Sequence, residues 1–162
     1  MRVNTDNSIA WTFTPPTYNP WIYSIALDGQ GYIFVVEGST IFKLNSDTGV
    51  IENSHEIPRA EFKKMVVVGN DLYLAGSFSS STVNFNPEGM DLHSSNGFRS
   101  GFVTKLDTNF NYHWTRSFGG EGNDSSNAVA VGANGEVYVS GGFNKTVNFN
   151  SNINNIDPEF TL

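Results

Sequence analysis

The sequence contains no cysteine, which excludes disulfide bonds and thiolate metal sites. Cysteine-free chains occur both in the cytoplasm and outside bacterial cells, so the redox compartment stays open. The chain also lacks an apolar run approaching the roughly 20 residues that a membrane-spanning helix needs. Its first residues, Met-Arg-Val-Asn-Thr-Asp, lack the apolar core of a signal peptide. We therefore expect a soluble chain.

Positive charge is scarce. Nine basic residues stand against 16 acidic ones, which gives a net charge of −7. No run of Lys or Arg offsets this balance. Because such a charge repels phosphate backbones and anionic lipid, nucleic acids and membrane surfaces are poor partners.

Helix-forming residues are also few. Lys, Glu and Ala are sparse, whereas Asn, Ser, Thr and Gly are abundant, a composition that suits a turn-rich β protein. A chain of 162 residues with 38% apolar and 14% aromatic content is long enough for a sizeable core. The composition predicts one all-β domain over residues 1–162 with almost no helix.

Residues 128–149 contain the clearest structural pattern. Two short runs of β-branched and aromatic residues, 129–131 and 137–139, flank a Gly-Ala-Asn-Gly turn. In that turn Asn134 and Gly135 are expected to supply the positive φ angles of a tight hairpin. The pattern predicts a strand, a turn and a second strand.

The hairpin pattern occurs twice more, at residues 24–36 and 65–76. This alignment places Phe34, Tyr73 and Tyr138 at one equivalent position. An aromatic strand lies upstream, at residues 10–13 and 113–118, and a fourth strand lies downstream, at residues 40–45 and 101–107. The pentapeptide Thr-Val-Asn-Phe-Asn also occurs twice, at residues 82–86 and 146–150. Similarity at fixed offsets is the sequence signature of a repeat architecture.

Repeated units of four antiparallel strands, apolar on both faces, predict the blades of a β-propeller. The expected blades span about residues 9–46, 50–108 and 111–162, the last being incomplete and closed by a strand such as residues 1–4. A β-sandwich is the alternative, but its strands need not resemble one another at fixed offsets.

Three stretches, residues 101–107, 114–124 and 128–143, resemble the β-propeller repeat of large secreted bacterial proteins, of the seven-bladed type found in Bacteroidota-like sequences. The resemblance covers about residues 99–150 well and 40–86 moderately. It implies a repeated scaffold, often extracellular or on the cell surface, without agreed catalytic residues.

Two groups of oxygen-bearing residues are metal candidates. Asp124 ends a Gly-Gly-x-Gly-x-Asp segment that looks like a calcium-binding nonapeptide, although one copy supplies half a site. Asp107, Asn109 and Asn111 alternate as at the start of an EF-type loop, but the Gly and Glu that complete such a loop are missing. An ordinary loop and an Asx turn are the simpler interpretations. No cofactor is expected.

Tyr18, Trp21 and Tyr23 are candidate ligand-binding residues. They cluster around prolines, and rigid exposed aromatics can stack on sugar rings or anchor a protein partner. The alternative is that they close the core of a divergent blade.

The function predicted from these features is a non-enzymatic scaffold or binding module of an extracellular or cell-surface bacterial protein, recognising protein or glycan through its loops. His55, His93 and His113 have no carboxylate or serine at suggestive spacing. The alternative is a fragment of a propeller lyase or glycosidase, for which His55, Glu56, His113 and Arg116 are the titratable candidates.

Two further expectations concern the ends and one loop. Residues 2–11 align without gaps on residues 105–114, which predicts either a head-to-tail homodimer closing a six-bladed ring or a piece of a longer propeller. The loop over residues 86–100 is expected to be irregular and pinned by Met90, Leu92 and Phe98.

Overall fold

A computed structural model gives the fold of residues 1–16, 21–79, 82–95 and 97–149, together with the backbone of residues 160 and 161. Within this described part the chain forms antiparallel β-sheets and no helix, which confirms the prediction of an all-β protein. The strands, numbered in chain order, are β1 (Arg2–Val3), β2 (Ile9–Trp11), β3 (Ser24–Leu27), β4 (Tyr32–Glu37), β5 (Thr40–Asn45), β6 (Ile51–Glu56), β7 (Ala60–Val68), β8 (Asp71–Phe78), β9 (Val83–Asn84), β10 (Leu92–His93), β11 (Ser100–Asp107), β12 (Tyr112–Gly120), β13 (Ser125–Val131), β14 (Val137–Gly142), β15 (Thr146–Asn148) and β16 (Phe160–Thr161).

The sheets follow one another along the chain. Strands β1 and β2 form an N-terminal hairpin, and β3 to β6 form a first sheet in chain order. The second sheet has the order β7-β8-β11-β12 and is extended beyond β12 by β15 and β16. Strands β13 and β14 form a third sheet, while β9 and β10 make a small hairpin between β8 and β11.

Strand pairing is the same around three aromatic residues. Phe34 pairs with Ala26, Tyr73 with Val66 and Tyr138 with Ala130, each on the preceding strand. On the following strand, Phe34 pairs with Lys43 and Tyr73 with Lys105.

Apolar side chains from opposite faces of the strands build three core clusters. The main cluster joins the first and second sheets, because alternate residues of β4 and β5 meet those of β7, β8 and β11. A second cluster lies between the N-terminal hairpin and the first sheet, and a third lies between the second and third sheets. The members of the main cluster with the largest buried side chains are Phe34, Phe62, Phe78, Phe85, Phe102, Ile41, Ile57, Met65, Leu72, Leu74 and Leu106.

The aromatic strands pair differently from the expected units, which began with such a strand. Strand β2 pairs with β1, not with β3, and β12 pairs with β11. The reason is the short turn before each aromatic strand, because this turn folds the aromatic strand back onto the strand that precedes the turn. Each aromatic strand therefore closes the sheet before it in the chain.

The turn at residues 132–135 needs one left-handed residue, not two. Gly135 has a φ of 88°, whereas Asn134 is not among the residues of positive φ. The Gly135 amide donates to the Gly132 carbonyl at 3.0 Å, and the Gly132 amide donates to the Glu136 carbonyl at 2.8 Å. A longer loop with glycine alone in the left-handed region therefore replaces the tight Asn-Gly turn.

The residues expected to pin the loop over residues 86–100 do not do so. Met90, Leu92 and Phe98 are all exposed, Phe98 to 83%. The loop is held instead by Phe85 and His93, which are buried and meet edge to face at 5.2 Å between ring centroids.

Candidate functional site

Two of the three predicted aromatic residues lie on the surface immediately before β3. Trp21 is 67% and Tyr23 50% exposed, and Ile22 between them is also exposed. The Tyr23 amide donates to the Val36 carbonyl at 3.0 Å, which fixes this segment to the rigid edge of the first sheet. We call Trp21, Ile22 and Tyr23 the aromatic surface. The third residue, Tyr18, falls outside the described residues.

The aromatic surface continues onto one face of the first sheet. Ile25 and Leu27, on the same face of β3, are exposed. A cavity of about 90 Å³ lies beside them and is lined by Met1, Trp11, Phe13, Ile22, Ile25, Ile33, Val35 and Leu44. Trp21 and Tyr23 are exposed and lie outside the three core clusters. The core-closing alternative therefore does not hold for Trp21 and Tyr23.

Asp107 forms an Asx turn with the other two candidates of its group. Its Oδ1 accepts from the amides of Asn109 at 2.8 Å and Asn111 at 2.9 Å, and its Oδ2 accepts from the Asn111 side chain at 2.7 Å. Partial burial works to raise the pKa of this carboxyl, but these hydrogen bonds prevail and lower it. An Asx turn thus accounts for Asp107, Asn109 and Asn111.

Asp124 is fully buried and ties two loops together. Its Oδ2 accepts from the Gly120 amide at 2.9 Å, and its Oδ1 accepts from the Asn144 amide at 2.9 Å. The glycines before it permit close backbone packing: a Cβ on Gly120 would lie 1.9 Å from the Thr146 carbonyl oxygen, and one on Gly122 would lie 2.2 Å from that of Asn144. Across the described residues, no three His, Asp or Glu side chains gather closely enough to hold a metal ion.

A buried hydrogen-bonded cluster centres on His93, for which the sequence indicated no carboxylate or serine partner. The His93 Nδ1 lies 2.8 Å from the Ser117 hydroxyl, and its Nε2 lies 3.1 Å from Asp91 Oδ2. The Tyr112 hydroxyl donates to the same Asp91 oxygen. Burial, followed by this hydrogen bond, raises the pKa of Tyr112. The alternation Asp91, Leu92, His93 beside a short strand is the one signal in the sequence that could have indicated it.

The residue types of the His93 cluster are those of a hydrolase triad, but the geometry favours a structural role. Ser117 and His93 are both buried, so a substrate cannot reach the hydroxyl. The serine contacts Nδ1 and the carboxylate contacts Nε2, the reverse of the arrangement in serine hydrolases. The cluster therefore fastens the β9–β10 hairpin to β12.

His55 and His113 occupy unlike environments. His55 stacks on Phe110 with ring centroids 5.5 Å apart, and its buried Nε2 has no hydrogen-bond partner. Burial lowers the pKa of His55, against a smaller opposing effect of Glu88. His113 is partly exposed, with its Nε2 4.0 Å from Asp71 Oδ1.

The lowered pKa of His55 has a measurable consequence for stability. As pH falls through about 6.5, the unfolded chain binds a proton at this histidine that the folded chain excludes, so the free energy of unfolding falls as pH falls. We expect His55→Phe to reduce this slope, measured by urea denaturation at several pH values. An unchanged slope in the variant would contradict the assignment.

A second apolar cavity, of about 420 Å³, lies where the second and third sheets meet. Its lining residues are Val103, Phe118, Val139, Ser140, Gly141, Gly142, Phe143 and Phe149. Ser140 alone among them has a polar side chain, so the cavity has no set of convergent acids and bases for catalysis.

In comparisons with known proteins, no family model and no curated protein sequence matches this chain. Among the described residues there is no helix long and apolar enough to cross a membrane.

Proposed function

We propose that this chain is a non-enzymatic scaffold and binding module, built of β-propeller blades, in an extracellular or cell-surface protein of a bacterium. The observation that carries the proposal is the aromatic surface: Trp21 and Tyr23 are exposed on a backbone that is hydrogen-bonded to a sheet. Exposed aromatic side chains that lose little conformational entropy on binding are efficient anchors for a ligand.

The stacking of the sheets supports the propeller architecture. The first sheet has four antiparallel strands in chain order, and the second contains four that follow the same pattern. Both faces of the second sheet are covered by neighbouring sheets, as in a blade with a blade on either side. The resemblance to bacterial propeller repeats supports the proposed extracellular setting.

The ligand proposed for the aromatic surface is a neutral sugar chain or a protein segment. Trp and Tyr rings stack on the apolar faces of sugars, and the same rings anchor protein partners. The net charge of −7 disfavours polyanionic ligands such as acidic polysaccharides.

Catalysis on a polysaccharide is the alternative that the structure supports less. A lyase or glycosidase needs carboxylates or other titratable groups converging on one bond. His55 and Glu56 are consecutive on β6 and so point to opposite faces, whereas His113 and Arg116 lie on β12 of another sheet.

Replacing Trp21 with alanine tests the proposed site. Glycan arrays and peptide libraries first identify a ligand of the wild-type chain, and calorimetry then compares variants. We expect Trp21→Ala to weaken binding about tenfold or more, since a central aromatic anchor is worth about 2 kcal/mol or more and a tenfold change needs about 1.4 kcal/mol. Phe98→Ala is the matched control, because Phe98 is also an exposed aromatic residue but lies elsewhere. Equal affinities of wild type and Trp21→Ala would remove this surface from the site.

A further inference from the structure

The N-terminal hairpin has the same strand register as the adjoining ends of β11 and β12. Each contains two consecutive pairs between which one residue of the second strand, Ala10 or His113, is left without a partner in the register. The equivalent pairs are Arg2–Trp11 with Lys105–Trp114, and Val3–Ile9 with Leu106–Tyr112. The gapless sequence alignment of residues 2–11 on 105–114 thus corresponds to one geometry.

The two hairpins also share their turn. Asn7 and Phe110, at equivalent positions, are both left-handed, with φ of 67° and 72°. The matching hydrogen bonds run from Asn4 N to Ser8 O (2.9 Å) and from Asn7 N to Asn4 O (3.0 Å), and likewise from Asp107 N to Asn111 O (2.9 Å) and from Phe110 N to Asp107 O (2.9 Å). The N-terminal hairpin is therefore a local copy of the β11–β12 hairpin.

The two hairpins differ in what lies at their outer strand edge. Strand β11 pairs with β8, whereas β1 has no second partner among the described strands. In the third sheet β14 holds the position of β8, and its described partner is β13 alone. Among the described strands, β1 and β14 thus each have one unpaired edge, and the equivalent edges of β11 and β8 pair with each other in the second sheet.

One outer face of the stack of sheets is incompletely covered. Ile25, Met65 and Val129 are equivalent in strand pairing, since each lies one residue before the partner of the aromatic position. Met65 and Val129 are buried between sheets, whereas Ile25 is 56% exposed. The face of the first sheet that contains Ile25 therefore has room for another sheet.

The opposite end of the stack has the complementary feature. Phe34 and Tyr73 are buried against the next sheet, whereas the equivalent Tyr138 is 62% exposed. The last face of the stack thus exposes an aromatic residue, Tyr138, at the position that the first and second sheets bury against their next neighbour. The first face exposes Ile25 at the position that the second and third sheets bury against the preceding sheet.

We propose that the partner of both surfaces is a second copy of this chain, joined head to tail. Strand β1 of one copy pairs with β14 of the other, so that the N-terminal hairpin completes the third sheet of its partner. The β8–β11 register pairs Tyr73 with Lys105 and Leu72 with Leu106. Transferred to the contact between copies, it pairs Tyr138 with Arg2 and Val137 with Val3.

The side-chain chemistry of this register fits. Lys43 Nζ lies 5.8 Å from the ring centroid of Phe34, and Lys105 Nζ lies 5.4 Å from that of Tyr73, each a cation–π contact across a strand pair. Arg2 brings a guanidinium to the same place over Tyr138. Arg2 Nη1 already donates to the Ser46 carbonyl at 3.0 Å, as Lys43 Nζ does to the Thr108 carbonyl at 3.0 Å.

Closure of a ring selects the dimer. A head-to-tail contact uses two different surfaces, so association continues until the rotation closes. The described residues of one copy form the first, second and third sheets, so two copies joined in this way bring six sheets, within the four to eight blades of closed propellers. The inference depends on the strand registers and not on the ligand proposed for the aromatic surface.

A mixing experiment tests the head-to-tail contact. Ile25→Asp damages the first face and Tyr138→Asp the last, and both side chains are exposed in the single chain. By sedimentation and light scattering at tens of micromolar, we expect a dimeric wild type and two monomeric variants. Because the variants are damaged on opposite faces, their equimolar mixture forms one intact contact and yields dimers. Met90→Asp, on an exposed loop residue, is the control that stays dimeric.

Cross-linking tests the register directly, because the chain has no cysteine of its own. Between the first two sheets, Met65 N donates to Ser24 Oγ at 3.1 Å. By strand pairing, Ile25 is equivalent to Met65 and Ala128 is equivalent to Ser24. Ile25 of one copy and Ala128 of the other are therefore expected to lie close together across the proposed contact. Ile25→Cys and Ala128→Cys copies are expected to form disulfide dimers when mixed and not when separate.

Three results would overturn the proposal. These are a monomeric wild type, a mixture of the Asp variants that stays monomeric, and cross-links that form equally within each single-cysteine preparation. Loss of ligand binding in Trp21→Ala with an unchanged dimer separates the two proposals, since that residue belongs to the aromatic surface.

Discussion

Phe102→Ala is expected to lower the free energy of unfolding by about 3–5 kcal/mol, the cost of deleting a fully buried aromatic ring and leaving a cavity. Phe102 lies on β11 in the middle of the second sheet, and its ring contacts those of Phe62, Phe78 and Phe85 at centroid distances of 5.7, 6.3 and 4.8 Å. Four rings from β7, β8, β11 and the segment after β9 thus meet at one point.

The ring cluster around Phe102 leaves little room for relaxation. Each of its four rings is fully buried, so removing one deprives the other three of contacts that no water can replace. Urea denaturation measures the loss, and the melting temperature is expected to fall by on the order of 10 °C. Phe98→Ala, four residues away and exposed, is the matched control, with an expected change within about 0.5 kcal/mol. Similar losses in both variants would show that the four rings do not form the centre of the core.

Asp124→Ala is expected to cost about 3 kcal/mol, because it removes a fully buried carboxylate and leaves two partly buried amides without their acceptor. The amide of Gly120 lies at the end of β12 and that of Asn144 lies just before β15, so the carboxylate holds β12 beside the start of β15. Hydrogen exchange at Gly120 and Asn144 is expected to accelerate in the variant, which separates a local loosening from general destabilisation.

Asp107→Ala is the matched control for Asp124. Asp107 also accepts from two backbone amides, but those amides lie on an exposed turn where water can replace the carboxylate. We expect a loss below about 1 kcal/mol there. Equal losses at the two positions would mean that burial of the Asp124 carboxylate adds nothing.

The hairpins were predictable because their signals are local. Period-two apolar runs on either side of a glycine-containing turn indicate a strand pair without knowledge of the rest of the chain. The strands β13 and β14 form where residues 129–131 and 137–139 indicated them. The sequence also indicated one position shared by Phe34, Tyr73 and Tyr138, and each of these residues pairs in the same way with the preceding strand.

Other features depend on distant contacts and were missed. His93 is held by Ser117 and by Asp91, and Asp91 in turn accepts from Tyr112. Ser117 and Tyr112 lie on β12, far along the sequence, so the alternation Asp91, Leu92, His93 alone could not identify these partners. The exposure of Met90 and Phe98 follows from the same cause, since His93 and Phe85 already fill the space beneath the loop. Apolar character in a loop indicates burial only when the sheet offers an unfilled site.

The aromatic surface was predicted in part. The sequence singled out Trp21 and Tyr23 by their spacing among prolines, but exposure depends on which strands cover the edge of the first sheet. Strand β3 is that edge, and Tyr23, just before it, continues its pairing with β4 through the hydrogen bond to the Val36 carbonyl. A strand at a sheet edge leaves its flanking side chains accessible, and this topology could not be read from residues 15–23 alone.

The enclosed position of the second sheet implies a gradient of local opening along the molecule. That sheet has apolar neighbours on both faces, whereas the third has one covered face and two strands. In a stack where each layer touches only its neighbours, the middle layer unfolds with everything else, while an end layer can fray alone. Of the first, second and third sheets, the third is therefore expected to open most readily in an isolated chain, and limited proteolysis is expected to cleave it before the second.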